Sequence, residues 1–136
     1  MGRIMAFDYG LKRVGVAVTD PLKIFPSGLD TIETPKIFEF ITNYLNTELV
    51  EQFVVGEPLN LDGSDTHATE PVRKFVKKLK KIFPTIPIDL EDESFTSQQA
   101  MQVMIQAGVK KKKRRNKALL DKVSATLILK SYLERL

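Results

Sequence analysis

Three acidic residues at the ends of predicted elements, Asp8, Glu93 and Asp121, are the side chains best placed to do chemistry in this sequence. Asp8 ends the apolar run at residues 4–7 and precedes a glycine turn, so a strand would carry its carboxylate to the rim of a sheet. If the three acids converge, they form an oxygen-only site, which suits Mg²⁺ or Mn²⁺ better than zinc. A pair of such ions about 3.5–4 Å apart can activate water and stabilise the leaving oxygen in phosphodiester cleavage.

Each acid also has a structural explanation. A strand-end aspartate such as Asp8 commonly caps a turn. The helix dipole favours acids just before a helix, which covers Asp92 and Glu93, and acids in a first turn, where Asp121 is predicted. We favour a functional role for Asp8, prefer Glu93 to Asp92 as a ligand, and leave both interpretations of Asp121 open.

Other polar segments are suited to binding a phosphate backbone. Asn60 lies in a turn-rich loop, residues 57–64, which is either a simple connection or a phosphate contact. Lys12 follows the turn after Asp8. The basic segment, residues 110–117, is either a solvated surface or a clamp on a nucleic acid near Asp121. Its members that we predict to bind nucleic acid are Lys113, Arg114, Arg115 and Lys117.

The order of predicted elements indicates one α/β domain over residues 1–136. Strands are predicted at residues 4–7, 14–18 and 28–32, then a helix from Pro35, a strand at 52–56, a helix with a buried stripe from Val72 to Phe83, and a strand at 86–90. A capping box at residues 96–99 begins a helix that ends at Gly108, and a last helix covers 119–133. This order is typical of the ribonuclease H-like fold, a mixed five-stranded sheet flanked by helices.

The composition excludes several functional classes. The 136 residues include no cysteine and one histidine, His67, so thiolate metal sites and a hydrolase triad are not expected. Neither a P-loop nor a dinucleotide-binding glycine motif occurs. No apolar stretch is long enough for a membrane span and no signal peptide is present, so we expect a cytoplasmic protein without a membrane partner.

Four segments resemble, in order and spacing, the motifs of the YqgF family, also called RuvX. They are MAFDYGLKRVGVA at residues 5–17, VGEPLNLDGS at 55–64, LEDESFT at 90–96, and the segment at 117–125 that contains Asp121. The resemblance implies a ribonuclease H-like fold and a magnesium-dependent nuclease whose catalytic and metal-binding acids are Asp8, Glu93 and Asp121. One departure is Ser94, which stands where the family usually has arginine.

The resemblance also implies the substrate. The family was first proposed as a Holliday junction resolvase, by analogy with RuvC, and was later linked to maturation of the 5′ end of 16S ribosomal RNA. We therefore expect a nuclease acting on precursor rRNA, with the small ribosomal subunit precursor as a partner and a monomeric or weakly dimeric state. In it Asp8 and Asp121 hold metal, Glu93 completes the site, and Lys12, Asn60 and the basic segment orient the backbone.

Two alternatives stay open. A resolvase of four-way DNA junctions would use the same acids but would act as a dimer, because two symmetric cuts need two sites. A non-catalytic RNA-binding factor for ribosome assembly would keep the fold without cleavage; Ser94 favours it and the intact set of acids opposes it.

Overall fold

A mixed five-stranded sheet organises the chain. The computed structural model describes residues 2–60, 62–93 and 96–136, with residues 96–98 described in their backbone alone. The strands lie in the order β3-β2-β1-β4-β5; β1, β2 and β3 are antiparallel, and β4 is parallel to both β1 and β5. Their bounds are β1 Arg3–Tyr9, β2 Arg13–Thr19, β3 Pro26–Glu33, β4 Val50–Glu57 and β5 Ile88–Asp92. The predicted sheet is confirmed, but the strand bounds differ. The first four strands extend beyond both predicted ends, so that Asp8 lies within β1, and β5 begins and ends two residues later than predicted.

Five α-helices flank this sheet: α1 Ile37–Leu45, α2 Thr69–Ile82, α3 Thr96–Gln106, α4 Lys111–Arg114 and α5 Lys117–Glu134. A 3₁₀ turn, Thr34–Lys36, precedes α1, as suits the proline at its second position. The short helix α4 lies in the basic segment, where we predicted none. None of the described helices is long and apolar enough to cross a membrane.

The ends of α3 and α5 test two predicted helix boundaries. Gly108 ends α3 as predicted, at φ +77°, and the N–H of Val109 donates to the Met104 carbonyl. The predicted capping box at residues 96–99 lies largely outside the described side chains. Helix α5 begins at Lys117 rather than 119, because the Asn116 side chain caps it by accepting from the N–H groups of Ala118 and Leu119.

The two faces of the sheet carry different kinds of side chain. Helices α1 and α2 cover the face where Phe7 and Phe53 lie, and Phe7 packs edge-on against Phe75 of α2 with ring centroids 5.6 Å apart. Ile82 was predicted to lie in the buried stripe of α2, but it is 41% exposed. The helix ends there, and Phe83 turns back to pack against Phe53 instead.

Helix α5 covers the opposite face, where the strands carry small residues. Ala6 and Ala17 are fully buried beneath it, together with Ala125 and Leu129 of the helix itself. At Gly15 the approach is closest: a Cβ there would overlap the backbone carbonyl oxygen of Asp121. Since strand side chains alternate between faces, Asp8 lies on this same face, two residues after Ala6.

We predict that Gly15→Ala destabilises the fold by about 1–3 kcal/mol, because the added methyl group would force α5 away from β2. Urea unfolding at neutral pH measures the change, with Ser27→Ala, an exposed position on β3, as the control. A Gly15→Ala protein as stable as the control variant would contradict the close approach of α5.

Candidate active site

Asp8 and Glu93 meet at the edge of the sheet where β1, β4 and β5 end. The N–H of Glu93 donates to the Glu57 carbonyl at 3.2 Å, which continues the pairing of β4 with β5 past Asp92. The Glu93 side chain reaches Asp8 over Gly56, where a Cβ would lie 2.8 Å from the Glu93 carboxyl carbon. The two carboxyl groups, called here the acidic pair, are hydrogen-bonded to each other.

Burial and mutual repulsion change the protonation of the acidic pair. Withdrawal from water, reinforced by the Asp8 charge, raises the pKa of Glu93 from 4.5 to about 10. Burial also raises the pKa of Asp8, opposed by the hydrogen bond from Glu93 and reinforced by the charge of Asp121. At neutral pH the acidic pair therefore holds a proton, and the hydrogen bond between the two carboxyl groups carries it.

Asp121 lies near this pair and forms an ion pair with the side chain of Arg13. The Arg13 Nε donates to the Asp121 Oδ2 at 2.8 Å, and both side chains are partly exposed. Asp121 is in the second turn of α5, not the first turn as predicted, so the helix dipole explains its position less well. Its neighbours on the helix face, Ala125, Ile128 and Tyr132, are buried as predicted.

The three predicted acids thus share a region without forming a finished metal site. Within residues 2–60, 62–93 and 96–136, no three His, Cys, Asp or Glu side chains are arranged to hold a metal ion. The donor set still fits a hard cation. Two carboxyl groups share one proton, and a third carboxylate, that of Asp121, lines the same surface depression as Asp8. A divalent cation would replace the shared proton and remove the repulsion.

A surface depression opens over the candidate site. Asp8 and Asp121 lie on its walls, and the turn after β1 and Ala68 close its rim. Lys12 is exposed in that turn, as a phosphate-binding residue must be. The lining residues of this acidic depression are Asp8, Tyr9, Gly10, Leu11, Lys12, Arg13, Ala68 and Asp121.

The Asn60 side chain forms hydrogen bonds within its own loop. Its side-chain amide donates to the Ser64 hydroxyl at 3.0 Å and to the Asp65 carbonyl at 3.1 Å, and its N–H donates to the Ser64 carbonyl. These bonds support the interpretation of residues 57–64 as a strand-to-helix connection. Asn60 is exposed, so a phosphate contact stays a prediction.

The basic segment is largely solvent-exposed. Lys113, Arg115 and Lys117 are exposed, whereas Arg114 folds back and donates to the Val109 carbonyl at 2.9 Å. Arg114 is therefore at least partly structural. The segment leads directly into α5 and ends four residues before Asp121. Ser94, where the sequence departs from the family motif, lies outside the described residues.

Sequence reasoning assigned no role to Arg13, although a pattern for it was present. Arg13 precedes Gly15 by two positions on β2, so it faces α5, where Asp121 was predicted to begin an inward-facing stripe.

The same alternation on β5 separates Glu91 from Asp92. Glu91 is 7% exposed; the Arg135 Nε forms an ion pair with its carboxylate at 2.5 Å, and the Ser131 hydroxyl donates to it at 2.6 Å.

We predict that the metal-free protein loses stability as pH rises from about 5 towards 9. Over this range the folded chain holds a proton on Glu93 that the unfolded chain releases, because the folded pKa is near 10 and the ordinary value is 4.5. The free energy of unfolding should therefore fall with pH by up to about 1.4 kcal/mol per unit.

Urea unfolding in EDTA at several pH values measures this slope. Glu93→Gln cannot ionise, so its profile should be flatter and its stability at pH 8 higher than that of the unsubstituted chain. Glu33→Gln, at an exposed position, is the control. Parallel profiles for the Glu93→Gln and unsubstituted proteins would show that Glu93 is not held protonated.

Comparison with solved structures identifies the fold. Two solved structures of RuvC from Thermus thermophilus share the fold. One, in complex with Holliday junction substrate, has a TM-score of 0.58 at 15% identity over 99% of this chain and 96% of that one. The other has a TM-score of 0.53 at 12% identity over 98% and 96%. The predicted ribonuclease H-like fold is thereby confirmed.

Relatives of much higher identity cover nearly the whole length. Proteins from Christiangramia forsetii and Porphyromonas gingivalis are each 49% identical to this chain, of which each alignment covers 98%, and they are covered over 98% and 97% of their own length. Both are named "Putative pre-16S rRNA nuclease". A family model described as "RuvX: Holliday junction resolvase" matches residues 2–135. This chain belongs to the RuvX family, and the relatives that it matches are named as nucleases.

Proposed function

We propose that this chain is a cytoplasmic, metal-dependent nuclease that cleaves phosphodiester bonds in structured nucleic acid, with residues 1–136 as its single nuclease domain. The observation that carries the proposal is the acidic pair, in which the buried carboxyl groups of Asp8 and Glu93 are hydrogen-bonded to each other. Such a pair is costly to the fold unless a cation joins it. It opens towards a surface depression that a phosphate group can enter.

Asp8, Glu93 and Asp121 are the residues that would hold Mg²⁺ or Mn²⁺. When bound, the ion supplies positive charge that activates water and stabilises the leaving oxygen. Glu93 must lose its proton to become a ligand, and Asp121 must share its carboxylate with the ion while Arg13 remains nearby. Arg13 and Lys12 then present positive charge to the phosphate at the rim of the depression.

The favoured substrate is the precursor of 16S ribosomal RNA, cut at its 5′ end. This choice draws on the names of the relatives at 49% identity, which align with the chain almost end to end. The exposed cations Lys113, Arg115 and Lys117 support it, because contacts to phosphates give affinity without base specificity. The small ribosomal subunit precursor is the partner that would present such an RNA.

A second candidate is resolution of four-way DNA junctions. The description of the matching family and the fold shared with RuvC favour it. A resolvase needs two copies of the site related by symmetry, so this alternative requires a dimer at working concentration.

We predict that Asp8→Asn abolishes cleavage and keeps binding. The substitution replaces a carboxylate that would bind the metal with an amide of nearly the same shape, so metal-dependent hydrolysis should fall by at least about 10³-fold. Purified protein is incubated with Mg²⁺ or Mn²⁺ on a 5′-extended 16S precursor RNA and on a four-way DNA junction. Asp30→Asn, an exposed strand position, is the matched control.

Cutting of the RNA that vanishes in Asp8→Asn and persists in Asp30→Asn supports the processing nuclease. Selective, symmetric cutting of the junction instead favours the resolvase. If both substrates are bound and neither is cut, the chain is a binding factor and the nuclease proposal fails.

We also predict that Arg13→Gln increases the affinity for Mn²⁺ and lowers cleavage. The guanidinium of Arg13 competes with the cation for Asp121, and a partly exposed ion pair of this kind is worth up to about 1 kcal/mol, or about fivefold in affinity. Calorimetric titration with Mn²⁺ measures the change without any substrate. Arg3→Gln, which breaks an ion pair with Glu48 at the opposite end of β1, is the control. Equal Mn²⁺ affinities in the two variants would mean that Arg13 does not compete.

A further inference from the structure

Helix α2 presents a stripe of lysines that the proposed active site does not explain. Lys74, Lys77, Lys78 and Lys81 follow one another at helical spacing on the exposed side of α2 and are called here the lysine stripe. Within the described residues, no carboxylate oxygen lies within 4.0 Å of any of these ammonium groups. By contrast, Arg73 on the same helix is paired with Asp65 at 2.9 Å.

The charge of α2 exceeds what a solvated helix face needs. The helix has six basic residues and one acid, Glu70, a net charge of +5, whereas the whole chain carries +4. Solvated faces usually alternate acids and bases at four-residue spacing. Lysines near a helix C-terminus interact favourably with its dipole, which accounts for Lys80 and Lys81 but not for Lys74 and Lys77 in the middle.

The lysine stripe is connected to the acidic depression along the surface. A second depression shares Tyr9 and Leu11 with the acidic one and is also lined by Lys74 and Lys78. A third shares those two lysines and extends to Lys77 and Lys81. Because each shares lining residues with the next, the three depressions adjoin one another along a path from Asp8 over the end of β1 to α2.

The dimensions of this path fit a nucleic acid backbone. From Lys74 to Lys81 the stripe is about 10 Å long, at 1.5 Å per helical residue, which matches about three nucleotides of one strand at 3.4 Å each. The Lys78 ammonium lies 4.9 Å from the centroid of the Phe38 ring, which anchors one of the four cations beside the path.

Resting on the proposed nuclease function, we propose that the lysine stripe binds the phosphate backbone of the substrate strand that flanks the cleavage site. The basic segment, residues 110–117, adjoins α5 on the opposite face of the sheet. The substrate would thus be held on both sides of the acids, by two separate basic surfaces. Phosphate contacts of this kind act on RNA and DNA alike.

The test compares two charge-matched double variants in the Asp8→Asn background, so that binding is measured without cleavage. The first, Lys74→Gln with Lys77→Gln, shortens the stripe; the second removes two exposed lysines outside it, Lys80 on another side of α2 and Lys130 on α5, by Lys80→Gln with Lys130→Gln. Fluorescence anisotropy measures binding to a labelled 30-nucleotide RNA and to a four-way DNA junction over a range of salt concentrations.

We expect the stripe variant to bind both nucleic acids roughly tenfold more weakly at low salt, with the salt dependence of log Kd reduced by about 2. The control variant should stay within about twofold of its parent, since its lysines lie off the path. The same loss for RNA and for DNA would identify the shared phosphate chemistry as the ligand.

Equal weakening in the two variants would overturn the stripe and leave the nuclease proposal standing, because cleavage by the unsubstituted chain is assayed separately. If the Asp8→Asn parent binds neither nucleic acid, both proposals fail. If the stripe variant binds nucleic acid like its parent but loses sedimentation with vesicles containing phosphatidylserine, the lysines serve an anionic membrane and the inference is wrong.

Discussion

The close approach of α5 to the sheet is the constraint on which the candidate site depends. The helix backbone at Asp121 contacts Gly15 so closely that a residue with a Cβ at that position would collide with it. The side chains of Ala6 and Ala17 are small enough for the helix to pack closely against β1 and β2. Because Asp8 follows Ala6 on the same face, lowering the helix onto the strands also brings Asp121 within electrostatic range of Asp8.

Strand β5 shows how differently the fold treats two acids on one face. Glu91 is buried, and Arg135 and the Ser131 hydroxyl satisfy its carboxylate. Glu93, two residues later, is directed at another carboxyl group, and within the described residues no basic side chain forms an ion pair with it. Since a buried carboxyl group is normally neutralised by a basic partner, the absence of one beside Glu93 within the described residues supports the cation site proposed here and separates it from the structural ion pair of Glu91.

The sequence was sufficient for the architecture because alternation on strands and spacing on helices depend on local pattern. It also predicted that Asp8 and Glu93 lie at one edge of the sheet, because strand order brings the ends of β1 and β5 there; their role as metal ligands stays a prediction. It was insufficient for Arg13, because the partner of a cation depends on how two distant elements pack. The helix bound at Lys117 depended on the Asn116 cap, and the exposure of Ile82 depended on where α2 stops and Phe83 takes its place in the core.

The basic surfaces and the acids lie in different parts of the molecule, so binding of a nucleic acid and its cleavage would depend on different groups. Basic surfaces on two faces of the sheet attract phosphates over a distance set by salt, about 10 Å at 0.1 M. In the proposed function, the acids at the edge between them repel the same phosphates at short range until a divalent cation is present. Nucleic acid would then bind the metal-free chain on its flanks, while the phosphate nearest Asp8 would be held away. Under this proposal cleavage should depend on metal more steeply than binding does.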